Sequence, residues 1–351
     1  MLKQGKVLTL KGNLRRLLSS LLLAGCAACA TAVFTPSAMA GAVTTYRGIC
    51  NASAGIDLGS GFFIVADDDI NTLVIYQYEK PAYVDKVDLG DYLRSDDGKT
   101  KEADLEGAAR IGDRIYWIAS HGRNGDGEVR PTRHRLFATR IVASGANPTV
   151  RPLDAKPYSG LLEALAPNQR FEELTSASKI APEASGGLNI EGLADTQDGG
   201  LLIGFRNPLS KGNGEALVLK LKNPAAVVEQ GASPVFDDLI RLDLGHRGIR
   251  SMERIGAEYF IVAGPYDNGT LGAPSSRFAI YKWSGTPGVA PEHWKDIAPP
   301  DFHAEGLFEI AGAKQLYLLS DDGDLQASCK KGKKKDKPSE DKTFRGMRLD
   351  F

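Results

Sequence analysis

The sequence lacks the short motifs that mark many enzymes. It has no Gly-x-Ser-x-Gly elbow for a serine nucleophile, no phosphate loop and no His-Glu-x-x-His zinc helix. Its 5 histidines are scattered, and of these His134 and His293 read as surface or structural. Only 4 cysteines are present, and the one Cys-x-x-Cys spacing, Cys26 to Cys29, falls in the N-terminal segment. The formal net charge is −1, so there is no overall basic footprint for nucleic acid.

That N-terminal segment is itself short of one sign of charge. Residues 1–40 hold Lys3, Lys6, Lys11, Arg15 and Arg16 and no acid. The bases precede an apolar, Ala-rich run that ends at Ala38-Met39-Ala40, which reads as a signal peptide cleaved after Ala40. A rival processing site is the lipobox-like Leu23-Ala24-Gly25-Cys26, which would anchor a lipoprotein at Cys26. Either route places the protein in the periplasm or outside the cell, with no transmembrane helix in the mature chain. After cleavage one cysteine pair remains, Cys50 and Cys329, and export permits a disulfide between them.

What the chain does have is a repeat. Asp104-Leu105-Glu106-Gly107 returns as Asn189-Ile190-Glu191-Gly192 and as His303-Ala304-Glu305-Gly306. Asn51-Ala52-Ser53-Ala54 and Gly248-Ile249-Arg250-Ser251 keep the frame but replace the acid. An apolar run follows each copy, among them Phe62–Val65, Ile115–Ile118 and Tyr259–Val262, and then a polar loop. The acid position and the loop position (Asp68, His121, Arg206, Pro265, Asp321) lie 15 residues apart in four copies and 16 in the fifth. Such register over five copies predicts an all-β propeller, most simply of five four-stranded blades spanning residues 43–351. Six blades is the alternative, with the sixth hidden in 141–188. The last copy shows only three strands, so the N-terminal strand at 43–49 is expected to complete it and close the ring. Residues 154–187 read as a helical insertion, and 330–342 as a Lys-rich solvated loop.

A propeller turns alignment columns into rings. Three columns converge on one mouth and bring together Glu106, Glu191, Glu305, Asp104 and Asp68 as candidate ligands for a divalent cation, calcium foremost. Arg206, Arg250 and Arg123 are candidates for binding an anionic group, because a planar guanidinium suits such a partner. His121 and His303 are candidate proton carriers. Cys50 and Cys329 are placed in loops on the same face, and a disulfide between them would bolt the ring shut.

Several stretches resemble a bacterial family, domain of unknown function 3616: Gly48–Ala54, Asp104–Gly107, Ser120–Arg123, Asn189–Leu193, Gly204–Pro208 and Gly248–Ser251. The Glu-Gly-Leu repeats are also similar to those of phytase-like esterase propellers. That second resemblance implies a secreted, calcium-dependent hydrolase of phosphate or other anionic esters; Ser53 and Arg250 depart from a fully acidic ring. The expected partner is a small anionic substrate, bound by a monomer. The alternative is a non-catalytic propeller of the cell envelope that binds a ligand or a protein at the same mouth.

Overall fold

The computed structural model of the chain describes residues 41–95, 97–98, 100–144, 147–267, 276–329 and 337–351. The expected signal peptide, the Cys26 alternative and the lysines of 330–336 lie outside the described residues.

The strands fall in chain order into four-stranded antiparallel blades. A first strand, β1 (Val43–Gly48), stands apart from the blade that follows it, formed by β2 (Ala52–Gly59), β3 (Phe62–Asp67), β4 (Ile70–Gln77) and β5 (Tyr83–Asp88). Blade 2 is β6 (Leu105–Ile111), β7 (Arg114–Ala119), β8 (Leu136–Ser144) and β9 (Asn147–Pro152). Blade 3 is β10 (Asn189–Asp195), β11 (Leu201–Leu209), β12 (Ala216–Leu221) and β13 (Ile240–Leu242). Blade 4 is β14 (Gly248–Ile255), β15 (Glu258–Gly264), β16 (Ala279–Trp283) and β17 (Glu292–Asp296). Blade 5 is β18 (Ala304–Ile310), β19 (Gln315–Ser320) and β20 (Ser339–Asp350), with β1 as its outermost strand. The sixth blade is excluded, because 141–152 belong to the outer strands of blade 2. Of the Lys-rich stretch, Ser339–Lys342 open β20, where Ser339 pairs with Gly48.

Each blade is a short sheet buried on both faces, so it must pack against its neighbours. The apolar residues accordingly form five clusters, one at each blade junction. The junction between blades 5 and 1 closes the ring, and Tyr46 of β1 lies wholly buried there, stacked on Phe344 of β20. Its hydroxyl meets that of Tyr317 at 2.5 Å. Cys50 and Cys329 are disulfide-bonded across the same seam, 279 residues apart in sequence and 6.4 Å apart at Cα. Among the described residues no helix is long and apolar enough to cross a membrane.

One backbone device recurs at the inner strand of every blade. The pairing of the first two strands slips by one residue at Ser53, Glu106, Glu191, Arg250 and Glu305. A β-bulge leaves the extra residue outside the ladder and re-aims its side chain. The alternation that would carry these five side chains into a blade junction is thus interrupted, and they turn to the axis. The residue that follows is small for a steric reason. A Cβ on Gly192 would come within 2.7 Å of Ile249 Cγ2 on the next inner strand, and one on Gly107 within 2.9 Å of Leu193.

The 153–188 connection contains α1 (Leu161–Leu165) and α2 (Glu172–Ala177), and its Leu161, Leu165, Phe171 and Leu174 join the cluster between blades 2 and 3. A third short helix, α3 (Pro224–Gln230), adds Val227 and Val228 to that cluster.

Candidate functional site

The five bulges divide the mouth into two halves of different chemistry. In one half, charge is neutralised. Glu191 Oε1 accepts from Arg206 Nη1 at 3.0 Å and from Asn189 Nδ2 at 2.9 Å, while its Oε2 lies 2.8 Å from Arg250 Nε. Arg250 also pairs with Glu305 and donates from Nη1 to the Pro265 carbonyl at 3.3 Å. Its guanidinium lies over the Phe278 ring, 5.7 Å from the centroid. Burial, reinforced by Arg206, lowers Arg250 to about 10. Glu191 and Glu305 were expected among the cation ligands; their carboxylates are instead engaged by arginines.

The other half keeps an excess of negative charge. Asp68, Asp104 and Glu106 present carboxylate oxygens that all lie within 4.8 Å of one another. Among the described residues only Asp104 of the three is ion-paired, to Arg133, whose Nη1 lies at 2.9 Å from Oδ2; the Ser120 hydroxyl donates to the same oxygen. Glu106 is 7% exposed, and no hydrogen bond or ion pair reaches its carboxylate among the described residues. Asp68 Oδ1 is shielded from solvent and likewise accepts no hydrogen bond. Burial, with Glu191, Asp104 and Asp68 nearby, holds the Glu106 carboxyl well above its usual range. Burial followed by Asp69, Asp321 and Asp67 does the same to Asp68. Burial also raises Asp104, against the opposing pull of Arg133. Groups placed so close resist ionising together unless a cation joins them.

A second tier of acids supports this half from behind. Asp67 is pushed up to about 7 by burial and Asp69, although it accepts backbone N–H groups of Cys50, Asn51 and Asp69 at 3.0–3.2 Å. Asp321 is raised to about 6, by burial first. Asp322, by contrast, is held by Arg345 in a two-point contact at 2.7 and 2.9 Å.

The remaining expected site residues take different places. His303 sits half-buried at the rim, stacked on Phe278 with ring centroids 5.8 Å apart. Burial and Arg250 keep its imidazole below the usual pKa. His121 is wholly buried, stacks on His134 at 5.6 Å and uses Nδ1 on the Ala119 carbonyl at 2.9 Å. Burial lowers it to about 3, a value unsuited to proton transfer near neutral pH. Arg123 donates to the carbonyls of Ser178 and Gly127, each at 2.9 Å, and so ties its loop to the helical insertion. Sequence reading missed Arg133, which lies in a short 3-10 turn between β7 and β8, outside the three aligned columns. Its neighbours Arg130-Pro131-Thr132 offered no sign of that role.

Residues 146–305 match the model of a family described as Protein of unknown function (DUF3616). The match bears out the resemblance read from the repeat motifs. The matched segment includes Glu191, Arg206, Arg250 and Glu305, the neutralised half of the mouth; Asp68, Asp104 and Glu106 precede it. No curated protein matches the sequence. Similar solved structures include a glutaminyl cyclase from Myxococcus xanthus, at 11% identity and TM-score 0.41, covering 88% of this chain and 95% of that one. A gluconolactonase from Xanthomonas campestris is similar at 14% identity and TM-score 0.37, covering 79% of this chain and 75% of that one. The Cps50 (Swd1) beta-propeller domain of Myceliophteria thermophila is similar at 9% identity and TM-score 0.38, with 88% and 100% covered. At these scores the likenesses carry no argument about chemistry.

Proposed function

We propose that the mouth is a divalent-cation site that presents its cation to a small anionic ligand. The observation that carries this reading is the Asp68–Asp104–Glu106 cluster, three converging carboxylates with one ion pair among them, from Arg133 to Asp104. Carboxylate oxygens suit a hard cation of the calcium type, with backbone carbonyls and water completing the shell. A cation held there would polarise a phosphoryl or carbonyl oxygen and lower the pKa of a bound water. Arg133 fixes the orientation of Asp104, and the Ser120 hydroxyl fixes the same oxygen. Arg206 and Arg250 give the opposite wall a rigid, charge-balanced surface in place of free anion-binding arms. The Cys50–Cys329 disulfide supports a working place outside the reducing cytoplasm, in the periplasm or beyond.

A second, finer reading is hydrolysis of a phosphate or other anionic ester. The observation that favours it is His303, a half-buried imidazole kept neutral at the rim and so able to accept a proton from water. The test is metal analysis of the purified mature protein alongside phosphatase and esterase substrates, in wild type and in Glu106→Gln. Bound cation that disappears in the variant supports the site, and turnover lost in His303→Gln with cation retained supports hydrolysis. Equal metal content in wild type and Glu106→Gln would overturn the proposal.

A further inference from the structure

The far end of the channel carries its own ring. Three residues past each bulge, four blades place a buried apolar side chain: Ile56, Ala109, Ala194 and Phe308, each at most 3% exposed. These pack into the junction with the following blade. In blade 4 the same position is Glu253, a carboxylate in an apolar column. One residue further on, the ring reads Asp57, Arg110, Asp195, Arg254 and Glu309.

Most of these charges are accounted for. Arg254 grips Asp195 in a two-point contact at 3.0 and 2.5 Å. Asp57 accepts from the Tyr78 hydroxyl at 2.7 Å and from Gly59 N at 3.1 Å. Among the described residues Glu253 has only a long contact, 3.5 Å, from the Glu309 backbone N–H, and no ion pair. Arg110, exposed at the edge of the pocket, donates to two backbone carbonyls, Gly112 at 3.0 Å and Asp57 at 3.2 Å, and makes no ion pair among the described residues, though its charge also acts on the Asp57 carboxyl. Both line one pocket of about 460 Å³, with Asp195, Arg254, Thr196 and Gln197 beside them.

We propose that this pocket is a second ligand site, for a small zwitterion of the α-amino acid class, with its ammonium on Glu253 and its carboxylate on Arg110. The charge pattern selects that class. The Asp195–Arg254 pair is self-satisfied, which leaves one anion and one cation in the same cavity without an ion pair between them. A simple cation would leave Arg110 unmatched, and a simple anion would leave Glu253 unmatched. Asp195 on β10 and Glu309 on β18 face Glu253 with like charge, and Arg254 only partly offsets them. Burial and those acids push Glu253 up to about 8, so an arriving ammonium stabilises its ionised form. A repeat position that breaks its own apolar rule is where function is expected to override stability.

The test is calorimetric titration with chelator present, so that the cation site at the other end plays no part. The pH is about 8.5, where most of Glu253 is ionised. The probes are L-alanine, ethylamine and N-acetyl-L-alanine. L-alanine is expected to bind at least about tenfold more tightly than either single-charge probe. Glu253→Gln and Arg110→Gln are each expected to weaken it by a similar factor, with an unchanged thermal melt reporting intact folding. Glu253→Leu, which restores the apolar column, is expected to raise the melting temperature and to lose binding. If L-alanine binds no better than ethylamine, or equally well to Glu253→Leu, the assignment is wrong. A failure here leaves the metal content of the mouth untouched, and loss of metal in Glu106→Gln leaves this pocket untouched.

Discussion

Arg250 Nε lies 2.8 Å from Glu191 Oε2, with the two side chains 6% and 2% exposed. The pair joins blade 4 to blade 3, and the same guanidinium reaches Glu305 on blade 5. One arginine therefore supplies charge balance to carboxylates from two other blades. That explains why an arginine stands where three repeats keep an acid. A fourth glutamate at this bulge would face Glu191 and Glu305 with only Arg206, on Glu191, to offset three carboxylates.

Removing that arginine is expected to be costly. Arg250→Met leaves two buried carboxylates without their shared partner and should destabilise the protein by about 3–5 kcal/mol. Urea denaturation measures it. The double variant Arg250→Met with Glu305→Gln should recover much of the loss, since Arg206 still pairs with Glu191 and Glu305 no longer carries a charge. A single variant as stable as wild type would mean that the pairing is incidental.

The two halves of the mouth make opposite predictions for neutralising a glutamate. Glu106→Gln removes an unpaired carboxylate from the cation cluster, and calcium affinity should drop at least about tenfold. Glu305→Gln removes a carboxylate already paired with Arg250 and should change calcium affinity little while lowering stability. Calorimetric calcium titration of both variants separates them. Equal effects on affinity would mean that the ring acts as one site.

The blade count, the closing strand and the ring membership of Glu106, Glu191, Arg250 and Glu305 were legible because repetition averages out local ambiguity. Five copies in register say more than one strand pattern. The bulges were not legible, since a slipped pairing depends on hydrogen bonds that no side-chain pattern encodes. They are what gathers the ring at the axis. The division into halves was also hidden, because alignment columns give a position and leave the direction of an arginine open. Arg133 lay outside the repeat altogether. The Glu253 signal was present: the same alignment, carried three residues further, sets it beside Ile56, Ala109, Ala194 and Phe308.

The disulfide closes the ring at the seam where chain ends meet, with 279 residues between the cysteines. Cys50→Ser with Cys329→Ser is expected to lower stability by up to ~5 kcal/mol, since so long a loop gains much freedom in the unfolded chain. The seam also borders the cation half, because Asp67 accepts the Cys50 N–H at 3.2 Å and the Cys50 carbonyl accepts from Asp322 N at 3.0 Å. Calcium affinity of the double variant should therefore fall along with its melting temperature. A variant with unchanged thermal and chemical denaturation would remove the disulfide from the account of ring closure.

His121 makes the protein sensitive to acid. Its ring is buried against His134, and Nε2 finds no partner. Burial first, then His134, lowers its pKa to about 3, whereas an unfolded histidine titrates near 6.5. Between those two values the unfolded chain binds the proton and the folded protein does not. Stability contributed by the neutral ring is therefore complete above about pH 6.5 and is lost as pH falls toward 3, at about 1.4 kcal/mol per unit. Asp67, raised to about 7, acts in the opposite sense, because the folded state holds its proton more tightly as pH falls from 7. A raw stability curve mixes the two, so the informative quantity is a difference. His121→Gln cannot titrate, and from pH 6.5 to pH 5 the wild type should lose about 2 kcal/mol more than the variant. Urea denaturation at several pH values measures this, and parallel curves for the two proteins would show that the His121 ring is open to protons in the folded state.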